Sequence, residues 1–503
     1  MWDPGDGITE NMGGYKPPNS VGIRKTCSLS PCIGIDAEVL FIAHCSLFVD
    51  MAFFRGFDRG RSRFSWAAGM AIALLLSAAL RFWDLDRFST PVFDESYYIE
   101  FARNYLTGTP FFDAHPPLGK LAIAFGMAIV QKISFVSTWS AYRWLNAAVG
   151  SLFPLVVAGI AFQLSHRYRY SLLAGILVAF DGSLLVESRY ALINLYLFFF
   201  GFVAHYFWWG SFKQRGWRRW LWTIGSGIFL GAAIAVKWNG LGFVLGLVLT
   251  AIALRFSSLK SIVNWGRGFY LQLAFSLVFV PAIVYSLTWI PHLAITGDNF
   301  FDLHQTILSY HQQTEADAHP YCSRWYAWPL VLRPIAYFYE TVSPGESPPE
   351  YLPDIVADRA TIIYDIHTLG NPILIWMGTL AAIVSIGAIL ASKTRSMRAA
   401  IPDRDRLILI YIIANYLANW LPWALVSRCQ FSYHYLGSQV FSILALAWWL
   451  DRGFSSTKIH HRLIAIAVVF LVTVAFLFWL PVSLGLPLSE MGFRNRMWFR
   501  SWV

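Results

Sequence analysis

Residues 93–121, FDESYYIEFARNYLTGTPFFDAHPPLGKL, form a polar stretch between two strongly apolar segments. The stretch concentrates ionisable side chains in a chain that is otherwise mostly lipid-soluble: Asp94, Glu95, Glu100, Asp113, His115 and Lys120. Charged groups are costly beside lipid, and where they persist they usually serve a function. This concentration therefore indicates that the chemistry of the protein takes place here.

The composition is that of a membrane protein. Of 503 residues, 56% are hydrophobic and only 14% are charged, whereas soluble domains are roughly 45–50% apolar and about 25% charged. The formal net charge of +10 fits basic cytoplasmic loops rather than a nucleic-acid partner. The composition predicts an all-α polytopic membrane protein.

Apolar runs long enough to span a bilayer recur along the chain. They predict about eleven transmembrane helices, at 65–84, 140–163, 171–187, 191–211, 220–236, 240–254, 268–290, 371–391, 406–424, 435–450 and 463–483. A shorter apolar stretch, 118–135, is predicted to be re-entrant or interfacial because its length is marginal for spanning.

The connections between these helices predict the topology. Short basic connections alternate with the others, which predicts a cytoplasmic N-terminus and two long outer-face loops at 85–139 and 291–370. The sequence predicts a chain of four parts. They are a leader with a basic cytoplasmic end, either disordered or a mis-called start, at 1–64; an N-terminal transmembrane module at 65–290; the large outer loop at 291–370; and a C-terminal transmembrane module at 371–503.

The adjacent acids Asp94 and Glu95 follow the first span on the outer side. A carboxylate in a partly dry cleft has a raised pKa and suits a general base. The other reading is structural, because Asp94 could cap a short helix that begins at the residues after it. The spacing alone favours the cap.

The segment from Asp113 to Lys120 is more specific. Pro116 and Pro117 fix the backbone and can open a helix, which would hold Asp113 and His115 at the helix start. A helix N-terminus with a nearby lysine suits a phosphate group. An interfacial turn whose Lys120 merely reaches lipid headgroups is an equally good reading.

Further ionisable residues lie at the outer ends of different spans: Arg143, Glu187, Arg189, Lys237, Arg428 and His434. Their shared depth favours a site in which cations neutralise a lipid-linked phosphate. The competing reading is a set of internal ion pairs, for example between Glu187 and either Arg143 or Arg189.

Cofactor and metal motifs are absent from the sequence. The five cysteines lack zinc-ligand spacing. The glycine runs 225–231 and 240–246 lie in apolar segments, where close helix packing explains them. We expect no cofactor and no tightly bound metal ion, although metal dependence stays open. A disulfide between Cys322 and Cys429 is conceivable, and two free thiols are the favoured state.

Seven motifs together resemble the protein O-mannosyltransferase family, whose members are GT-C glycosyltransferases. The motifs follow in order from about residue 65 to about residue 485: FDESYY (93–98), FFDAHPPLGKL (111–121), AYRWLNAAVG (141–150), LVESRYALIN (185–194), AVKWNGLG (235–242), HPYCSRWYAWPLVLRP (319–334) and FSYHYLG (431–437).

The resemblance implies a GT-C fold and a reaction. Mannose would pass from a polyprenyl-phosphate-mannose donor to a Ser or Thr hydroxyl of an exported polypeptide, with inversion at the anomeric carbon. Asp94 would be the base and Glu95 would position the acceptor, although these two roles could be exchanged. Asp113 and Arg143 match further functional positions. Eukaryotic members carry a MIR domain that the loop 291–370 is too short to hold, so the chain resembles a bacterial-type member.

The resemblance also implies a location and partners. The protein would cross the bacterial plasma membrane many times, contact membrane lipid, and carry its active site on the outer face, where acceptors could arrive at the secretion machinery. A related GT-C transferase that acts on lipid A or another glycan is the alternative enzyme. A lipid or sugar transporter ranks below both, because transporters place charges near the midplane and contain repeats.

Overall fold

Helices make up most of the chain in the computed structural model. The structure describes residues 62–130, 137–256, 268–313, 319–355, 360–392 and 401–503. The predicted leader lies almost entirely outside the described residues. The helices are α1 Ser62–Phe82, α2 Glu95–Thr107, α3 Leu118–Val130, α4 Thr138–Ser165, α5 Tyr168–Ala179, α6 Gly182–Arg189, α7 Asn194–Ser211, α8 Gly216–Val236, α9 Leu241–Arg255, α10 Phe269–Ala274, α11 Val280–Thr296, α12 Phe300–Gln313, α13 Pro372–Ala391, α14 Asp403–Trp420, α15 Leu436–Ser455, α16 Ile459–Leu484 and α17 Glu490–Arg494.

A helix lies at each of the predicted spans. Among the described residues, eight helices are long and apolar enough to cross a membrane, and α5 with α6, bent by 59°, would make a ninth span. Helices α7 and α15 occupy the other two predicted positions and are buried along most of their length. A π-helical turn, Phe275–Phe279, joins α10 to α11. The chain is a multi-pass membrane protein.

The glycine runs pack helices closely, as predicted. A Cβ atom on Gly242 would lie 2.7 Å from Asn419 Oδ1 of α14, and one on Gly231 would lie 2.8 Å from the carbonyl oxygen of Pro281 in α11. Both distances are shorter than van der Waals contact, so a larger residue would force these helices apart.

The second outer loop contains a small sheet that the all-α prediction did not include. Strand β1, Ala336–Val342, pairs antiparallel with β2, Ile362–His367, and β3, Leu488–Ser489, pairs with the other edge of β2. The C-terminal residues fold back onto the second outer loop, where Trp502 Nε1 donates to the Val331 carbonyl at 2.6 Å. The C-terminus therefore lies with this loop.

Basic residues of the predicted inner connections meet in one ion-pair cluster. Arg167 pairs with Asp405 at 2.7 Å and with Asp451 at 3.1 Å, and Arg452 pairs with Asp405 at 3.2 Å. The cluster joins the turn between α4 and α5 to the start of α14 and the end of α15.

The favoured state of the two loop cysteines was wrong. Cys322 and Cys429 form a disulfide, with their Cα atoms 5.2 Å apart. Next to it, the Ser323 amide donates to the Gln430 carbonyl at 2.8 Å. The bridge therefore fixes the segment before His434 to the second outer loop.

Candidate active site

Arg143 of α4 holds the first outer loop in place. Its Nε and Nη2 donate to the two carboxylate oxygens of Glu95 at 2.8 and 2.7 Å. Its Nη1 donates to the carbonyls of Leu85 and Phe88 at 2.8 and 3.0 Å, and Nη2 donates to that of Thr90 at 2.9 Å. Each N–H of the guanidinium thus has a partner inside the protein.

The carboxylate of Glu95 is likewise hydrogen-bonded on both oxygens. Besides Arg143, its carboxylate accepts hydrogen bonds from the backbone amides of Val92 and Ala191, both at 2.9 Å. Both charged side chains of the pair are fully buried. The expected roles therefore need correction: in this arrangement Glu95 does not face an acceptor and Arg143 has no N–H left for a donor phosphate. The pair positions the loop instead.

Arg189 has a similar structural task. Its guanidinium donates to the carbonyls of Leu80, Trp83 and Asp84 at 2.8, 2.6 and 3.2 Å. These carbonyls lie at and just beyond the C-terminal end of α1, where helix carbonyls lack helical partners and favour a cation. Arg189 caps α1, and the expectation that it binds substrate is not supported by this geometry.

The side chain of Glu187 is fully buried. Instead of pairing with Arg143 or Arg189, its Oε1 accepts hydrogen bonds from the Tyr337 hydroxyl at 2.6 Å and from Asn194 Nδ2 at 3.3 Å. Glu187 was expected to contact substrate, but in the structure its carboxylate contacts Tyr337 of β1 instead.

Lys120 and Asp113 close the turn that contains the proline pair. Lys120 Nζ forms an ion pair with Asp113 Oδ2 and donates to the His115 carbonyl at 2.7 Å. Helix α3 begins directly after Pro117, as predicted. The ammonium of Lys120 is buried against this turn, so neither the phosphate role nor the headgroup role predicted for it matches its position.

Four other predicted residues meet at a cavity of about 420 Å³. His115, Lys237, Arg428 and His434 all line it, although they come from three separate parts of the sequence. Its wall also includes apolar side chains, namely Leu241, Leu245, Leu308, Pro422, Trp423 and Val426. Such a cavity suits a ligand with an anionic group and an apolar chain.

His311 lines the same cavity and was not among the predicted site residues. Because a carbonyl only accepts, His311 Nε2 must donate to the Ala114 carbonyl, at 3.0 Å. Its Nδ1 is buried without a partner among the described residues. Burial and the nearby Arg428 lower the pKa of His311. A signal existed in the sequence, since Leu308 and His311 share one helix face with His304.

Asp94 interacts electrostatically with Lys237 of the cavity wall, and its carboxylate has no hydrogen-bonding partner among the described residues. It occupies the N-cap position of α2, but its side chain makes no capping hydrogen bond. Burial raises the pKa of Asp94 to about 6, the positive charge of Lys237 opposes this rise, and Asp113 adds to it. The Lys237 ammonium lies 5.2 Å from the centre of the Tyr433 ring. A half-buried carboxylate with a pKa near neutrality suits proton transfer.

Metal ligands do not converge within the described ranges. No group of three or more His, Cys, Asp or Glu side chains there has the arrangement of a metal site. The expectation of no tightly bound metal stays a prediction.

Two family profiles match consecutive parts of the chain. The profile described as dolichyl-phosphate-mannose-protein mannosyltransferase matches residues 71–296. The profile described as the C-terminal four TMM region of protein-O-mannosyltransferase matches residues 296–502. The two profiles together cover the chain from the first span to its end.

Curated relatives agree with these profiles over nearly their whole length. A polyprenol-phosphate-mannose–protein mannosyltransferase of Corynebacterium glutamicum is 25% identical, over 82% of this chain and 88% of the relative. The protein of that description from Mycobacterium tuberculosis is 24% identical, over 97% of this chain and 99% of the relative.

Solved structures share the fold. The Saccharomyces cerevisiae protein O-mannosyltransferase Pmt1-Pmt2 complex bound to the sugar donor matches with a TM-score of 0.71 and 16% identity, over 87% of this chain and 92% of the matched chain. ArnT from Cupriavidus metallidurans bound to undecaprenyl phosphate matches with a TM-score of 0.52 and 14% identity, over 85% of this chain and 77% of the matched chain.

Proposed function

The chain belongs to the protein O-mannosyltransferase family, and from that premise we propose how it transfers mannose from polyprenol-phosphate-mannose to protein. The donor phosphate binds in the cavity beside Lys237 and Arg428. The polyprenyl chain leaves along the apolar wall that includes Leu241 and Leu245. Asp94 accepts the proton of the acceptor hydroxyl. The observation that carries the proposal is the convergence of these cations in one cavity, where Lys237 interacts with an Asp94 carboxylate that has no hydrogen-bonding partner in the described part of the chain.

The reaction is a single displacement. The acceptor oxygen attacks the anomeric carbon, the bond from that carbon to the phosphate oxygen breaks, and its electron pair leaves with the phosphate. The hydroxyl proton passes to Asp94. The cations stabilise the charge that the phosphate gains in the transition state. In a single displacement the acceptor oxygen attacks from the side opposite to the leaving phosphate. Inversion at the anomeric carbon follows.

The proposal locates the cavity on the outer face of the bacterial plasma membrane, with a cytoplasmic N-terminus. Disulfides persist in oxidising compartments, and the bridge between Cys322 and Cys429 adjoins Arg428 of the cavity wall. Short basic connections meet instead in the Arg167 cluster, as cytoplasmic connections would. The acceptors are Ser or Thr residues of exported polypeptides that arrive at the secretion machinery, and we expect no tightly bound metal ion.

The substitution Asp94→Asn tests the proposal. General-base catalysis contributes about 10²–10⁴-fold to a rate, so we expect a loss of that size in mannose transfer from purified donor lipid to a Thr-containing peptide. Glu100→Gln is the matched control, because Glu100 is an exposed carboxylate on α2. Wild-type transfer by the Asp94→Asn enzyme, or transfer to lipid rather than peptide by the unmodified enzyme, would contradict the proposal.

A further inference from the structure

The backbone directly before Asp94 is strained. Phe93 has a φ angle of +56°, a left-handed conformation in which the Cβ atom lies too close to the following carbonyl oxygen. Residues other than glycine keep such a conformation only where their surroundings impose it, often next to a functional group. Something in the fold must therefore hold Phe93 in place.

The ring of Phe93 stacks on the ring of Tyr337. The two ring centroids are 4.1 Å apart and the planes are inclined by 5°. Tyr337 belongs to β1 of the second outer loop, and the register between β1 and β2 shifts between Ala336 and Phe338. Tyr337 is thus the extra residue of a β-bulge, a feature that re-aims a side chain and is common beside active sites.

Glu187 holds the other end of Tyr337. The hydroxyl of Tyr337 donates to Glu187 Oε1 at 2.6 Å, and Asn194 supports the same oxygen. Glu187 is fully buried on α6, and Tyr337 is also buried. The hydroxyl is engaged by Glu187, so Tyr337 acts on the site through the position of its ring.

We propose that Glu187 and Tyr337 are positioning residues that set the direction of the Asp94 carboxylate through the strained backbone of Phe93. Asp94 then lies between two fixed neighbours, because Glu95 on its other side is anchored by Arg143. In this way the second outer loop sets the orientation of Asp94, the proposed base in the first outer loop. The inference rests on the proposed role of Asp94, and it assigns the contact between the loops to catalysis rather than to donor binding.

Tyr337→Leu and Tyr337→Phe test this inference. Leucine removes both the stack and the hydrogen bond, and we expect kcat to fall about 100-fold, as for a misplaced reacting group. Phenylalanine keeps the stack and loses one buried hydrogen bond, so kcat should fall about tenfold. The KM for the donor should stay unchanged in both variants, because Tyr337 does not line the cavity.

Conservative variants and a control separate positioning from general damage. Glu187→Gln keeps an acceptor oxygen for the Tyr337 hydroxyl, and Phe93→Tyr keeps the stacked ring, so both should retain kcat within a few fold. Tyr339→Leu is the matched control, because Tyr339 is on the same strand, is 49% exposed and contacts Phe493 instead. It should leave kcat unchanged.

The outcomes distinguish this inference from the proposed function. Loss of transfer in Asp94→Asn with wild-type kcat in Tyr337→Phe and Tyr337→Leu would overturn the positioning role alone. A raised donor KM with unchanged kcat in these variants would also overturn it. If Tyr337→Leu does not fold, the tenfold loss of kcat in folded Tyr337→Phe still decides the question. Transfer by Asp94→Asn would instead overturn the role of Asp94 itself.

Discussion

Two groups of cations stand close to the first outer loop, and they differ in what they contact. Arg143 and Arg189 are buried, and they donate to loop or helix-end carbonyls and, for Arg143, to Glu95. Lys237 and Arg428 line the cavity, and Lys237 interacts electrostatically with Asp94. The planar guanidinium reaches several carbonyls at once, which suits an anchor. The two groups have the same charge and the same predicted position at the ends of spans, so the partners of a cation decide its role.

The largest expected effect is that of Arg143→Ala. It leaves the buried carboxylate of Glu95 without its partner, and breaking such a pair costs about 3–5 kcal/mol. We therefore expect a large loss of folded protein, seen as a lower melting temperature of the detergent-purified enzyme. The surviving enzyme should keep the donor KM of the wild type.

The double variant Arg143→Met/Glu95→Leu is the control for this anchor. Replacing both members of a buried ion pair by apolar side chains is often tolerated, so stability should recover in part. A stable Arg143→Ala enzyme with a raised donor KM would abolish the distinction between anchoring and cavity cations.

The next largest effect is expected for Lys237→Met, and Arg428→Met should have the same effect. Each removes a charged donor to the proposed phosphate, worth about 1.5–3 kcal/mol, so donor KM should rise about 10–100-fold in an enzyme of nearly normal melting temperature. Arg500→Met is the matched control, because Arg500 is an exposed cation near the C-terminus. An unchanged donor KM in both cavity variants would remove the phosphate from this cavity.

Much of the fold followed from the sequence, because spans are long apolar runs and their ends carry the charges. The residues of the cavity wall, such as Lys237 and His434, were identified from the same depth argument. That argument could not separate them from Arg143 and Arg189, since depth along a helix does not say which carbonyls a folded loop will present.

Non-local pairings were the other part that the sequence could not supply. Strand β3 at Leu488–Ser489 joins β2 across the whole C-terminal module, and Cys322 is 107 residues from Cys429. Neither segment carries a local pattern that names its partner. Short strands of a few residues also have little periodicity to read.

The smallest expected effect is on the pH dependence of transfer, and it shows which cations act on Asp94. Only the ionised carboxylate accepts a proton, and burial raises the pKa of Asp94 to about 6. Transfer, measured as kcat/KM for the acceptor, should therefore fall about tenfold per pH unit below that value. Lys237 opposes the rise, so Lys237→Met should move this acidic limb to higher pH. Arg500→Met should leave the limb in place.

Protonation of the neighbouring histidines would raise the rate of transfer at low pH, whereas protonation of Asp94 lowers it. Burial and adjacent positive charge lower the pKa values of His115 and His434, so they become protonated only at more acidic pH. Their added positive charge would then favour the donor phosphate and could not produce a fall in rate through weaker donor binding. A limb that stays in place in Lys237→Met would mean that Asp94 does not sense the cavity cations, and that the base and the phosphate site are electrostatically separate.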